Sequence, residues 1–373
     1  MRCVAAAIVF LTHIIQAGIF TDAQLNQDLN RWFAKTGFAA VGFFIMLSGF
    51  ILTYSAGEND RPLRFWIRRL SRIYPTHILL WVVSMALMAW LTVRPAFSDA
   101  LPSFFLVQAW TSNEKVIWAV NGQTWTLCGD LLFYLAFPWL IRLVRRIPGR
   151  LLWLCAGCLV AAVTAVALIG DLVTSSTPEL PFIQASWAEH WLVFNHPVTR
   201  MLDFVLGIVM AQILLTGRWI RVPRTVAMLT LVASNVIALE VPGTFGLVVP
   251  FVVPLALVMT AAAAADLEGE SSVFRLRTMV RIGELSFAFY MTHSLVTLYG
   301  PIGRLKRTWP VAEGVGLIVL TYVLILIVSW ILTYGFERPL YRWLTRSAGP
   351  SKPFPPALPQ DPGIPVQAVE SKY

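Results

Sequence analysis

Arg2 and His13 stand eleven residues apart in an otherwise apolar run. On a helix, at ~100° and ~1.5 Å per residue, they share nearly one face with ~16 Å between them along the axis. A guanidinium at one end of the helix thus lines up with an imidazole further along it. Imidazole is the side chain best suited to accept and return a proton near neutral pH. His13 is therefore a candidate general base; the competing reading is a histidine satisfied by helix packing. His293 is a second candidate of the same kind, with Ser48 and Tyr290 as hydrogen-bonding or proton-relay groups at similar depth.

A second constellation is the segment Arg61-Pro-Leu-Arg64-Phe-Trp-Ile-Arg68-Arg69-Leu-Ser-Arg72-Ile-Tyr74-Pro75, with five arginines in twelve residues. Guanidinium forks bind phosphate oxygens in bidentate fashion, so Arg68, Arg69 and Arg72 would suit a polyphosphate ligand. The same charges also serve as a topological signal in many membrane proteins, and both readings stand. Asp130 and Tyr134 are four apart and share a helix face. Arg200 and Asp203, three apart, can pair with each other, a structural role; the alternative is that Arg200 faces a substrate. His196, beside Pro197, reads as a loop residue. No metal-ligand spacing is apparent.

These residues draw notice because of what surrounds them. Of 373 residues, 57% are hydrophobic and only 13% charged. A water-soluble domain carries about 25% charged residues, so this chain has too little polar surface to face water. Helices are the form that satisfies every backbone group within its own segment in lipid. An ionisable group at bilayer depth is costly and a functional candidate by default. The net charge of +9 does not indicate nucleic acid, because the basic residues fall in short clusters between apolar runs.

A span takes roughly 20 apolar residues. Candidate spans are 3–20, 37–55, 73–93, 125–144, 151–172, 198–216, 224–240, 244–265, 282–300 and 315–336. The expected fold is all-α, a polytopic membrane bundle of about ten helices. The Trp- and Phe-rich stretch 101–118 is expected at the interface. Most Lys and Arg fall on one side if both termini are cytoplasmic, which requires an even number of spans. That topology puts Arg2 and the Arg68–Arg72 cluster at the inner end, His13, Ser48, Tyr290 and His293 near the middle, and Asp130 and Arg200 toward the outer side.

Residues 1–346 are expected to form one domain and 347–373 a disordered Pro-rich cytoplasmic tail. Residues 1–20 could pass for a signal peptide but are read as a retained first helix, since no clean cleavage site follows. Cys155-Ala-Gly-Cys158 is read as packing in apolar surroundings, with redox chemistry the alternative.

Six segments in order resemble the integral membrane acyltransferase type 3 family, whose members acylate hydroxyls on polysaccharides, lipopolysaccharide, peptidoglycan and some macrolides. They are Arg2 to His13 with its Arg-x10-His pattern, Gly42-Phe-Phe-Ile-Met-Leu-Ser48-Gly49-Phe50, Phe65 to Pro75 with Arg-x-x-Arg, Trp125-Thr-Leu-Cys-Gly-Asp130-Leu-Leu-Phe133-Tyr134, Gly283 to His293, and Phe336-Glu337-Arg-Pro339. The resemblance runs from Met1 to about Leu344 and implies ten transmembrane helices. It also implies acyl-CoA, usually acetyl-CoA, as co-substrate, with Arg69 and Arg72 at its phosphates and His13, supported by Arg2, as the essential histidine. Asp130 stands where the family usually has Glu. The periplasmic hydrolase-like domain of longer members does not follow.

The expectation is therefore an acyl-CoA-dependent O-acyltransferase of the bacterial inner membrane, acting on an exopolysaccharide or other cell-envelope glycan. Asp130, Trp125 and Arg200 would lie on the acceptor side. No resident cofactor or metal is expected. Expected partners are acyl-CoA, a glycan or lipid-linked oligosaccharide, the bilayer and other polysaccharide-assembly proteins. The rivals are a small acceptor such as a macrolide, and a transporter of glycans or anions.

Overall fold

The computed structural model describes residues 1–57, 61–92, 95–173, 179–180, 185–305 and 307–346. The tail expected at 347–373 lies outside them. Each expected span contains a helix. These are α1 (Arg2–Ala17), α2 (Ala23–Ser55), α3 (Pro62–Trp90), α4 (Trp125–Arg145) and α5 (Leu152–Val173). They continue as α6 (Pro197–Leu215), α7 (Arg224–Glu240), α8 (Phe245–Leu267), α9 (Ser286–Tyr299) and α10 (Val311–Ile331). Seven helical stretches are long and apolar enough to cross a membrane, and α1, at 16 residues, is a shorter apolar helix. The shorter α7 and α9, with 17 and 14 residues, fill two further expected spans. The architecture is an all-α polytopic membrane bundle; the one sheet among the described residues is a two-residue pairing of Glu179–Leu180 with Ala185–Ser186.

One expectation is corrected. The arginine-rich segment, expected outside the third span at 73–93, forms the first turns of α3, with Arg61 at its cap and Pro62 in its first turn. Proline's fixed φ and missing N–H suit that position, and hydropathy is blind to a charged helical turn. The stretch 101–118, expected at the interface, leaves Phe105 and Trp110 exposed. It breaks into short helices that fold inward, burying Leu106, Ala109 and Ile117 in the main core. The indoles of Trp191 and Trp187 donate to the carbonyls of Ala109 (3.0 Å) and Ser112 (2.6 Å) and hold it there.

Helix α2 is the hub, packing chiefly on α6 and α1. It starts well before its apolar part, because Asp22 caps it by accepting from the Leu25 N–H at 3.0 Å. Against α6 the two backbones nearly touch. A Cβ on Gly49 would stand 2.1 Å from the Phe204 carbonyl oxygen, and one on Gly207 2.0 Å from that of Met46. Small residues at crossings let membrane helices pack this closely. Gly207→Ala must push the helices apart, so a destabilisation of about 1–3 kcal/mol is expected, read as a lowered unfolding temperature in detergent. An unchanged transition would contradict this packing.

The same device sets α1. A Cβ on Gly37 would meet the Thr12 side chain at 2.7 Å, so α2 grips α1 one residue before His13. Helix α1 ends at Gly18 in the left-handed region, φ 62°. The chain is then tied to the entry of α10 by Trp309 N–H to Ile19 O (2.8 Å) and Thr21 N–H to Trp309 O (2.9 Å).

Candidate active site

The two candidate histidines, 280 residues apart in sequence, meet. His13 Nδ1 lies 3.1 Å from His293 Nε2, and His293 Nδ1 lies 2.7 Å from the Tyr290 carbonyl oxygen. The partners dictate the protons. A carbonyl only accepts, so in the neutral pair His293 carries its hydrogen on Nδ1 and accepts at Nε2. His13 must then donate from Nδ1, which leaves its Nε2 as a lone pair. The Gln123 side-chain nitrogen stands 3.4 Å from that lone pair and donates to Ser294 Oγ at 3.1 Å. Helix α9 holds His293 nearly sealed, 1% exposed, stacked on Phe289 with ring centroids 6.3 Å apart.

Three cavities lie around this pair among the described residues, the third lined by both rings with Ser294, Thr297 and Arg307. The first is lined by Arg2 of α1, Arg69 and Arg72 of α3, Ser48 of α2, and Asp130 and Tyr134 of α4. The three-residue spacing of Arg69 and Arg72, now helical, turns both the same way; Arg68 does not line the cavity. Among the described residues the Nε atoms of Arg2 and Arg69 are buried with no hydrogen-bond partner. Three guanidinium groups thus face one lining carboxylate, Asp130, which lies in electrostatic reach of Arg2 and Arg69. Glu337 stands close enough to act on Arg72 and Arg2. The excess of cations gives this cavity a positive potential.

The second cavity has aromatic walls that include Phe38, Trp118, Trp125, Trp187 and Phe194. His13 and Gln123 line it too, and so do Asn195, His190 and Glu114. The first two cavities meet at Val41 and Tyr290, which line both. The Tyr290 hydroxyl is held there, donating to the Gln123 carbonyl at 3.3 Å and accepting from Thr126 at 3.2 Å. A base whose Nε2 accepts only the long contact from the Gln123 amide therefore faces an aromatic chamber, next to an arginine-lined one.

Residues 1–334 match a family model described as an acyltransferase domain, which is most of the chain. The chain belongs to the acyltransferase type 3 family. It is 36% identical over 93% of its length to acyltransferase MdmB of Streptomyces mycarofaciens, covering 91% of that protein. It is 28% identical over 69% of its length to the exopolysaccharide production protein ExoZ of Rhizobium meliloti, covering 76% of that protein. With the peptidoglycan O-acetyltransferase OatA of Listeria monocytogenes it shares 23% identity over 75% of its own length and 48% of the relative's. No solved structure matches the chain.

In this membrane acyltransferase the remaining expected residues divide. Trp125, at the start of α4, lines the aromatic cavity and packs on Phe194 at 5.2 Å. Asp130, expected toward the outer side with the acceptor, lines the arginine cavity instead. It sits more than a turn into α4, on the Tyr134 face, and so lies deeper than Trp125. Arg200 lines neither cavity. It pairs with Asp203 at 3.0 Å, both side chains under 5% exposed, and lies over the Phe194 ring at 5.1 Å. Sequence reasoning missed Gln123, His190 and Asn195. It ranked only ionisable groups by depth, whereas two of these are amides; Gln123 sits just before the Trp125 motif, where a polar residue at a helix mouth was a usable signal.

Proposed function

We propose that this acyltransferase moves an acyl group, acetyl first, from acyl-CoA to a hydroxyl of an exopolysaccharide or other cell-envelope glycan in a bacterial cytoplasmic membrane. The observation that carries the reading is His13 Nε2, oriented by His293, in the wall of an aromatic cavity that shares Val41 and Tyr290 with a guanidinium-lined one. The exopolysaccharide production and O-acetyltransferase names of two relatives support a glycan acceptor.

In this mechanism Arg2, Arg69 and Arg72 take the CoA phosphates, with the thioester directed toward Tyr290. The acceptor hydroxyl lies in the aromatic cavity and gives its proton to His13 Nε2 as its oxygen attacks the thioester carbon. His293 Nε2 accepts from Nδ1 of the resulting imidazolium and stabilises it, the part a carboxylate plays in a serine-protease triad. The Tyr290 hydroxyl and the Gln123 amide are the donors nearest the developing oxyanion. When the C–S bond breaks, the proton passes from His13 to the thiolate, giving free CoA and an O-acyl ester.

The purified protein, given acetyl-CoA and candidate glycans, is expected to release free thiol in an acceptor-dependent way. Arg72→Ala is expected to raise the KM for acyl-CoA about tenfold or more, since a hydrogen bond to a charged group contributes ~1.5–3 kcal/mol, with a smaller change in the acceptor KM. Acyl-CoA binding that ignores Arg72 would move the donor elsewhere, and absence of thiol release would favour a transporter. A small amphipathic acceptor such as a macrolide is the second reading. The largely aromatic wall of the outer cavity favours it, and the same assay with macrolides in place of glycans decides between them.

A further inference from the structure

Behind the aromatic walls the chain makes one turn of unusual helix. Residues Trp191–Asn195 form a π-helical turn closed by His196 N–H to Trp191 O at 2.8 Å. Such turns place an extra residue into a helix and recur at functional sites. At its end Asn195 is 1% exposed, and among the described residues neither its amide oxygen nor its amide nitrogen has a hydrogen-bond partner. One turn earlier His190, 6% exposed, has no partner for Nδ1. Both line the aromatic cavity. Buried side-chain polar atoms in native proteins are nearly always paired, so this cluster is incomplete without a ligand.

The surroundings state the chemistry of that ligand. His190 stacks on Phe194 with centroids 5.4 Å apart and an interplanar angle of 28°, and Phe38 and Trp125 pack against Phe194 at 4.9 and 5.2 Å. An amide offers two donors and one acceptor side by side, which match neighbouring hydroxyl groups, while aromatic faces take C–H surfaces. Among the described residues Glu114 is the one carboxylate lining this cavity and no arginine or lysine lines it, so a phosphate-bearing donor is disfavoured here.

We propose that Asn195 and His190 are the residues that select the acceptor, reading vicinal hydroxyls of a sugar stacked on the aromatic walls. The assignment rests on the acyl-transfer reading for its kinetic test but not for its binding test. The protein and its shape-conserving variants Asn195→Leu and His190→Phe are assayed for thiol release with acetyl-CoA and the methyl glycosides of glucose, galactose and rhamnose. Thermal unfolding is followed with and without each glycoside.

The expected result is a glycoside KM raised by about tenfold or more, with kcat and the acetyl-CoA KM within about threefold of wild type. Without glycoside, the variants are expected to unfold at the wild-type temperature or above it, because an unpaired buried polar group has been removed. A drop of several degrees in both variants would make these side chains structural and overturn the proposal. So would an unchanged glycoside KM, or a rise in the acetyl-CoA KM instead. If the wild type releases no thiol at all, acyl transfer itself fails. The site then stands only if a glycoside raises the unfolding temperature of wild type and not of Asn195→Leu, and falls if no glycoside does.

Discussion

Replacing His13 by Ala is expected to lower kcat for acyl transfer by about 10²–10⁴-fold, the usual contribution of a positioned general base. The KM for acyl-CoA should hold, because His13 does not line the arginine cavity. Unfolding temperature should change little, since the side chain is only partly buried and its partners, His293 and Gln123, keep other hydrogen bonds. Replacing His293 by Ala leaves His13 Nε2 in place but removes the acceptor for its Nδ1–H, so a smaller kcat loss is expected with the acyl-CoA KM again unchanged. Full turnover by His13→Ala, measured as thiol release, would remove the base from this mechanism. A His293→Ala loss as deep as that of His13→Ala would shift the primary role to His293.

Breaking the Arg200–Asp203 pair is expected to cost about 3–5 kcal/mol of stability, because each single truncation leaves a charge buried with nothing opposite. Arg200→Ala and Asp203→Ala should therefore yield little folded protein in detergent. The double variant Arg200→Met with Asp203→Leu should recover most of it, since replacing a buried ion pair with apolar groups of similar volume is often neutral. Turnover per folded molecule should stay near wild type, because Arg200 lines neither cavity. If Arg200→Ala instead folds normally and raises the acceptor KM, the arginine belongs to substrate recognition, the alternative to the structural pairing read from its sequence position.

Much of this arrangement was legible in the sequence, and the failures have separate physical causes. A helix lies in each stretch that apolar length marked as a span, and the Arg2–His13 spacing put both on α1, one lining the arginine cavity and the other the aromatic one. Hydropathy does not mark where a helix begins. That depends on a cap such as Asp22 or a proline such as Pro62, so α2 and α3 start earlier than their apolar runs. Depth also failed for Asp130, because a position a turn and more into α4 drops it from one cavity into the other. The contact of His13 with His293 was beyond reach, since it depends on how α1 and α9 pack. The amides at Gln123 and Asn195 were overlooked for a different reason. Uncharged groups pass unremarked in a scan for buried charge, though an orphaned amide says more about a ligand than a paired arginine does.

The junction at Val41 and Tyr290 has a kinetic corollary. In the proposed mechanism donor and acceptor occupy separate volumes, so neither competes for the other's place, and excess of one should not inhibit by displacing the other. Double-reciprocal plots for the two substrates should intersect, and a dead-end CoA analogue should inhibit competitively against acyl-CoA but noncompetitively against the acceptor. In such a scheme only the acyl fragment passes the gap between the chambers, and the nucleotide never leaves its own side.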